Sequence, residues 1–235
     1  MIDINCDMGE GMGNEAMLMP YISSANIACG GHAGDEETMN GVVALCLQHG
    51  VDIGAHPSFA DRENFGRTEM QLPQAAIFSL ITAQLELLAA IVKKQGGRLH
   101  HVKPHGALYN MAAKDASLAK AVAQAVKMFD PSLVYYGLSG SVMIKAAAAE
   151  GLEAWNEVFA DRTYQEDGSL TPRTQSNALI TDIDTAAGQA KKIAAEGKVI
   201  TVSGRVITVK ADTICIHGDG KHAVAFAQAL HQTLR

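Results

Sequence analysis

Residues 2–7 read IDINCD, and the alternation within them restricts the fold more than any other feature of the chain. Successive side chains of an extended strand point to opposite faces. Asp3, Asn5 and Asp7 therefore share one face, and Ile2, Ile4 and Cys6 the other. The division recurs at 51–56, with Asp52, Gly54 and His56 against Val51, Ile53 and Ala55. It recurs again at 101–105, with His101, Lys103 and His105 against Val102 and Pro104. Strands of an open parallel sheet are covered by helices on both faces and read as continuous apolar runs. A strand with one polar face belongs instead in a closed barrel, with helices outside and a polar, ligand-lined interior.

Strand-like and helix-like segments alternate from end to end, the pattern of parallel strands joined by helical crossovers. Strands are expected over 2–7, 24–29, 51–56, 101–105, 133–138, 153–158 and 213–217, and helices over 35–49, 73–95, 112–129, 141–150, 182–196 and 221–234. Glycines close several of the helical runs, among them Gly50, Gly151 and Gly197. The stretch KVITVSGRVITV at 198–209 predicts a hairpin turning at Ser203-Gly204. No repeat, low-complexity tract or linker interrupts the pattern. The fold expected is α/β: an irregular seven-stranded (β/α) barrel forming one domain over 1–235.

Composition narrows the function. A hydrophobic share of 48% against 19% charged residues permits a large core and argues against disorder. A net charge of −6 disfavours nucleic acid or an anionic membrane surface as partner, because such binding needs clustered Lys and Arg. The four cysteines, Cys6, Cys29, Cys46 and Cys215, show no CxxC spacing, so neither a disulfide scaffold nor a cysteine-rich zinc site is expected. No basic n-region opens the chain, and no window approaches the roughly 20 apolar residues of a membrane helix. A soluble, cytoplasmic protein is expected.

Polar residues gather at the carboxyl ends of the expected strands: Asp7 after the first, His32 after the second, His56, His105 and His217 at the third, fourth and last. Barrels of this class build active sites at that end. Asp7 with His32 and His56 suits a divalent metal that lowers the pKa of bound water; the same groups equally suit metal-free acid–base catalysis. His101 and His105 stand about 13 Å apart on a strand and cannot both ligate one metal. His49, His222 and His231 fall on helices and His100 on the other strand face, all with no special role expected.

Lys103, between two histidines on an inward face, needs a partner: Asp3 or Asp7 in a structural ion pair, or a substrate carboxylate or phosphate. HPSFADRENFGR (56–67) offers Arg62 and Arg67 as clamps for such anions. FADRTY (159–164) places Asp161 and Arg162 after the sixth strand, and HGDG (217–220) places Asp219 where it serves as a helix cap or a ligand. IACGGHAGD (27–35) looks at first like a phosphate loop. It matches neither GxGxxG nor GxxxxGK[ST], and Asp35, Glu36 and Glu37 already satisfy the helix dipole. The loop presents His32, not a nucleotide.

The stretches DINCDMGEG, SSANIACGGHAGD, GAHPSFADRENFGR, HVKPHGALYN, EVFADRTYQEDGSL with PRTQS, and CIHGDG, in that order, resemble the LamB/YcsF family over nearly the whole chain. Two departures are visible: Cys6 stands where the family usually has Ala, and Gly31 where Phe is common. Cys6 is expected to face the helices, and Gly31 to enlarge or loosen the pocket beside His32. The resemblance implies a (β/α) barrel related to the polysaccharide deacetylases and a subunit of an ATP-dependent 5-oxoprolinase. That enzyme opens 5-oxoproline (pyroglutamate) to L-glutamate with two partner subunits, B and C (PxpB and PxpC). ATP with Mg2+ is the implied cofactor, at a shared interface or on a partner, and homo-oligomerisation stays open. On this reading Asp7, His32, His56, Lys103, His105 and His217 carry catalysis. Asp7 and His32 activate water or bind metal, and His105 or His217 donates the proton. Asn5, Arg62, Arg67, Tyr109, Asp161, Arg162 and Asp219 bind substrate or phosphate. Two rivals remain: a metal-dependent amide hydrolase or deacetylase that works without ATP, and a ligand-binding subunit without chemistry of its own.

Overall fold

A computed structural model describes residues 2–218 and 223–234. Its elements are β1 (Asp3–Met8), α1 (Glu15–Leu18) with a 3-10 turn (Met19–Tyr21), β2 (Ser24–Ala28), α2 (Glu36–His49), β3 (Asp52–His56), α3 (Gln74–Lys94), β4 (His101–Val102), α4 (Gly106–Ala112) and α5 (Ala116–Phe129). There follow β5 (Val134–Leu138), α6 (Val142–Ala149), β6 (Ala154–Phe159), α7 (Ile183–Glu196), β7 (Lys198–Ile200), β8 (Val206–Thr208), β9 (Thr213–Ile216) and α8 (Ala223–Leu234).

Seven parallel strands close in the order β1-β2-β3-β4-β5-β6-β9, the barrel that the two-faced strands predict. Ile4, Cys6 and Met8 point outward into the apolar layer beneath the helices, with Ile27, Val43, Leu85 and Ile214; Cys6 does face the helices. The inward faces form a polar core. Register sets Asp7 beside Asn26, Asn26 beside Gly54 and Gly54 beside His101. Gly54 is glycine because the His101 ring occupies its space: any Cβ there would overlap the imidazole. His101 Nε2–H donates to Asn26 Oδ1 at 2.8 Å, and Asn26 Nδ2 donates to Asn5 Oδ1 and Asp7 Oδ1. These polar groups inside the barrel thus find neighbours, the condition for burying them.

Local chemistry explains the helix ends. Asp35, Asp115 and Asp182 cap α2, α5 and α7, each accepting from a backbone N–H of the first turn. The Asp115 cap also corrects the helix expected over 112–129: it starts at Ala116, preceded by the separate α4. The strand expected over 101–105 is formally two residues long. Its path nonetheless continues along β3, with Lys103 N–H donating to Ala55 O and His105 N–H to Pro57 O. Pro104, between them, has no N–H to give the strand on the other side. The hairpin is present as the antiparallel pair β7–β8.

α3 corrects another expectation. Its 21 residues are long and apolar enough to cross a membrane by length and composition. Ile77, Ile81, Leu85, Leu88 and Val92 form a buried stripe at helical spacing, and the helix packs between α2 and α5 on the outside of the barrel.

Candidate functional site

The strands deliver their carboxyl ends to one rim, where a cavity of about 470 Å3 opens, within the range of about 300–1,000 Å3 usual for small-molecule sites. Asp7, His56, Lys103 and His217 border it from the strand ends, and residues 169–174 from the loop after β6.

On one side, three imidazoles surround a carboxylate. Glu10 Oε1 lies 3.0 Å from His32 Nε2, 3.5 Å from His105 Nδ1 and 4.0 Å from His56 Nε2. His56 Nε2 is 2.9 Å from His105 Nδ1. His32 and His105 stack with ring centroids 3.6 Å apart. The outer nitrogens are anchored: His56 Nδ1–H donates to Lys103 O at 2.7 Å, His105 Nε2–H to Phe65 O at 3.0 Å, and His32 Nδ1 meets Ser58 Oγ at 2.9 Å. Burial, aided by neighbouring positive charge, pushes the His32 pKa down to about 3 and His105 well below the ordinary imidazole value, so both rings are neutral at neutral pH.

At the centre, Lys103 Nζ lies 2.8 Å from Asp7 Oδ1, 2.8 Å from Glu157 Oε1 and 3.1 Å from Cys215 Sγ. Burial works to deprotonate it, but the charges around it, Asp7 first, hold its pKa well above the usual lysine value. Burial likewise works to raise Asp7, and its contacts with His56 and Lys103 outweigh it, keeping the carboxyl well below the usual range. This is a buried ion triad of one cation between two anions.

On the far side, His217 Nδ1–H donates to Asp161 Oδ2 at 2.8 Å and approaches Oδ1 at 3.0 Å, while its backbone N–H points at the same carboxylate at 3.3 Å. With Nδ1 so engaged, Nε2 is the atom available at the cavity. Such a carboxylate-oriented imidazole has the groups needed to take a proton from water and return it to a leaving nitrogen.

A family model described as the LamB/YcsF family matches residues 2–235. The chain belongs to the LamB/YcsF family. A relative, the A subunit of 5-oxoprolinase from Bordetella pertussis, is 52% identical over 238 residues, covering 99% of this chain and 94% of that protein. The protein of the same name from Bordetella parapertussis matches to the same extent. The solved lactam utilization protein from Thermus thermophilus is 41% identical, with a TM-score of 0.93 over 99% of this chain and 95% of its own. A GH113 β-1,4-mannanase, 10% identical with a TM-score of 0.54 over 100% of this chain and 99% of its own, shares the fold alone.

In this LamB/YcsF protein Asp7, His56, Lys103, His105, Tyr109, Arg67, Arg162 and His217 all reach the cavity. Other expected ligands have different work. Asn5 lies deeper in the barrel, donating to Thr213 Oγ1 at 2.6 Å. Arg62 is turned away, its Nη1 donating to the carbonyls of Gly30 and Gly34 at 3.1 and 2.8 Å. Asp161 acts through His217. Arg162 spends donors on Thr171 O and Ala178 O, bracing the cavity loop, and burial draws its pKa down to about 10. Asp219 lies outside the described residues. The metal set expected from Asp7, His32 and His56 also shifts: the donor atoms that converge are those of Glu10, His32, His56 and His105, while Asp7 gives Oδ1 to Lys103 and Asn26. Asp7, Cys215 and His217 form a second convergent group, of which Asp7 and Cys215 already face the Lys103 ammonium. Nor does Gly31 loosen the site. Ser58 and Gln84 fill the space a side chain would take, with Gln84 Oε1 2.7 Å from a Cβ position.

Glu10, Glu157, Cys215, Lys114 and Arg173 escaped the sequence reading. Glu10 carries a signal, since it follows the end of β1 by two residues in DMGEG. Cys215 shares its strand face with Thr213 and His217. Nothing in the sequence marks Lys114, which the break between α4 and α5 brings to the cavity.

Proposed function

We propose that this chain is the lactam-opening subunit of an ATP-dependent 5-oxoprolinase, working with partner subunits B and C to convert 5-oxoproline to L-glutamate. The observation that carries it is a small cavity lined both by a carboxylate-oriented histidine and by several cationic side chains, Arg67, Lys114, Arg162 and Arg173. The names of the relatives give the substrate.

An unstrained five-membered lactam is a poor electrophile. Transfer of the ATP γ-phosphoryl group to the lactam oxygen yields ADP and an imidate phosphate, which water attacks at carbon. His217 Nε2 takes the water's proton and Asp161 stabilises the imidazolium. The C–N bond then breaks as His217 returns the proton to nitrogen, leaving a γ-glutamyl phosphate. A second water releases phosphate, so two waters are consumed. Arg67, Lys114 and Arg173 offset the charge of the transferred phosphoryl group and substrate carboxylate. Lys103 holds Asp7 and Glu157 in place, its three protons being already engaged. ATP, as its Mg2+ complex, binds at the interface with the partner subunits.

The test is glutamate release from 5-oxoproline by this chain, alone and with subunits B and C, with and without ATP. Release that needs partners and ATP, and that collapses in His217→Asn, supports the proposal. No release under any condition overturns it. The Glu10 and histidine cluster favours one rival, a metal-dependent amide hydrolase, for which release would proceed without ATP and stop on chelation.

A further inference from the structure

We propose that Glu10, His56 and His105 bind one divalent transition ion, leaving a position open toward the cavity, with His32 as a positioning residue behind Glu10.

The hydrogen-bond partners decide which atoms are available. A backbone carbonyl only accepts, so His56 Nδ1 and His105 Nε2 must both carry hydrogen to satisfy Lys103 O and Phe65 O. With both rings neutral, the inner atoms His56 Nε2 and His105 Nδ1 are lone pairs; they face each other at 2.9 Å, with Glu10 Oε1 4.0 and 3.5 Å away and Asp7 Oδ2 3.4 Å from His56 Nε2. Acceptors gathered in this way repel one another unless a proton or a metal ion stands between them, and metal titration separates the two. Metal-bound imidazoles are oriented in this way, the distal N–H fixed on a carbonyl or carboxylate.

The spacing fits. Ligands 2.0–2.2 Å from a tetrahedral ion are about 3.3 Å apart, and the three separations of 2.9, 3.5 and 4.0 Å bracket that value. Two imidazoles and one carboxylate are a donor set for zinc and neighbouring first-row ions. Glu10, His56 and His105 all border the cavity, whereas His32 lies off its wall. His32 Nε2–H donates to Glu10 Oε1 at 3.0 Å, and its ring rests on Ser58, itself held by Gln84 through two backbone contacts. Phe65 is, among the described residues, the non-glycine residue with positive φ, +56°. That strained conformation accompanies both the carbonyl that His105 needs and a ring set edge-on to His32 and His105.

The proposal stands apart from the lactam reading, because its test uses neither ATP nor substrate. The full chain, stripped by chelation and dialysed, is titrated with Co2+ and with Zn2+. One equivalent is expected, with visible Co2+ bands of a four- or five-coordinate site that Zn2+ abolishes. His105→Ala and Glu10→Gln should weaken binding by about 100-fold or more, and His32→Gln by about 10–100-fold. His217→Asn should leave it intact. No stoichiometric uptake overturns the proposal, and so does uptake that His105→Ala and Glu10→Gln leave unchanged. Should those variants not fold, X-ray absorption on the unmutated zinc-loaded chain decides: two imidazole nitrogens with oxygen support the site, and sulfur ligation rejects it. A shared proton between His56 and His105 in a chain that takes up no metal is the outcome that replaces it.

Discussion

The carboxylate of Asp161 grips the Nδ1 of His217 at 2.8 and 3.0 Å and also faces its backbone N–H. Strand β6 and strand β9 are neighbours in the barrel, so two residues 56 positions apart become one proton-transferring unit. Replacing the carboxylate by an amide keeps the shape but no longer fixes the tautomer or stabilises the imidazolium. In the assembled complex, Asp161→Asn should lower kcat by about 10²–10⁴-fold with little change in KM. An unchanged kcat would remove His217 from the proton pathway.

The triad at Lys103 makes a stability prediction. Lys103→Met leaves Asp7 and Glu157 buried without their cation, and removal of one partner of a buried pair costs about 3–5 kcal/mol. Urea unfolding followed by fluorescence of the single Trp155, which stacks on Tyr136, measures it. Adding Glu157→Gln should recover part of the loss, since it removes one of the two stranded charges. A loss below about 1 kcal/mol would show that Lys103 is not the cation these carboxylates depend on.

Asp7 should contribute to acid sensitivity. Burial works to raise its folded pKa, but its contacts with His56 and Lys103 outweigh burial and hold it well below that of an unfolded aspartate. On acidification the unfolded chain therefore binds the proton before the folded one does. The stability Asp7 contributes is complete above about pH 4, the unfolded value, and is lost as pH falls toward the folded pKa. Asp7→Asn should flatten the fall of the urea midpoint below pH 4; an equally steep fall in the variant would assign acid sensitivity to other carboxylates.

A methyl group at position 31 meets Ser58 Oγ and Gln84 Oε1. Gly31→Ala should cost about 1–3 kcal/mol by overpacking and should displace Ser58 from His32. Adding Ser58→Ala relieves the clash and should restore part of the stability. Thermal melting of Gly31→Ala, Ser58→Ala and the double variant separates this from a simple loss of backbone freedom, which the second substitution would not rescue.

Much of the fold was legible because it rests on local rules. The two-faced strands called for a closed barrel, and closing glycines marked the ends of α2 and α7. Errors came where one residue overrides a pattern. Asp115 breaks an apparently continuous helix by capping a new one, and Pro104 interrupts a strand whose path continues. The run of apolar residues in α3 has the composition of a membrane segment, yet one stripe of it is buried against neighbouring elements, and only those neighbours decide which side is covered.

The sequence by itself determined which residues reach the rim, because strand alternation and the βα connection place Asp7, His56 and His217 there whatever their neighbours are. What each does there was decided by tertiary structure alone. Arg62 and Arg67 are indistinguishable as sequence, yet one ties down the Gly30 and Gly34 carbonyls and the other lines the cavity. Glu10 lies among all three histidines, whereas Asp7 gives Oδ1 to Lys103 and meets His56 through Oδ2 at 3.4 Å. Hydrogen bonds and ion pairs act over about 3 Å between groups remote along the chain. Only closure of the barrel settles which donor meets which acceptor.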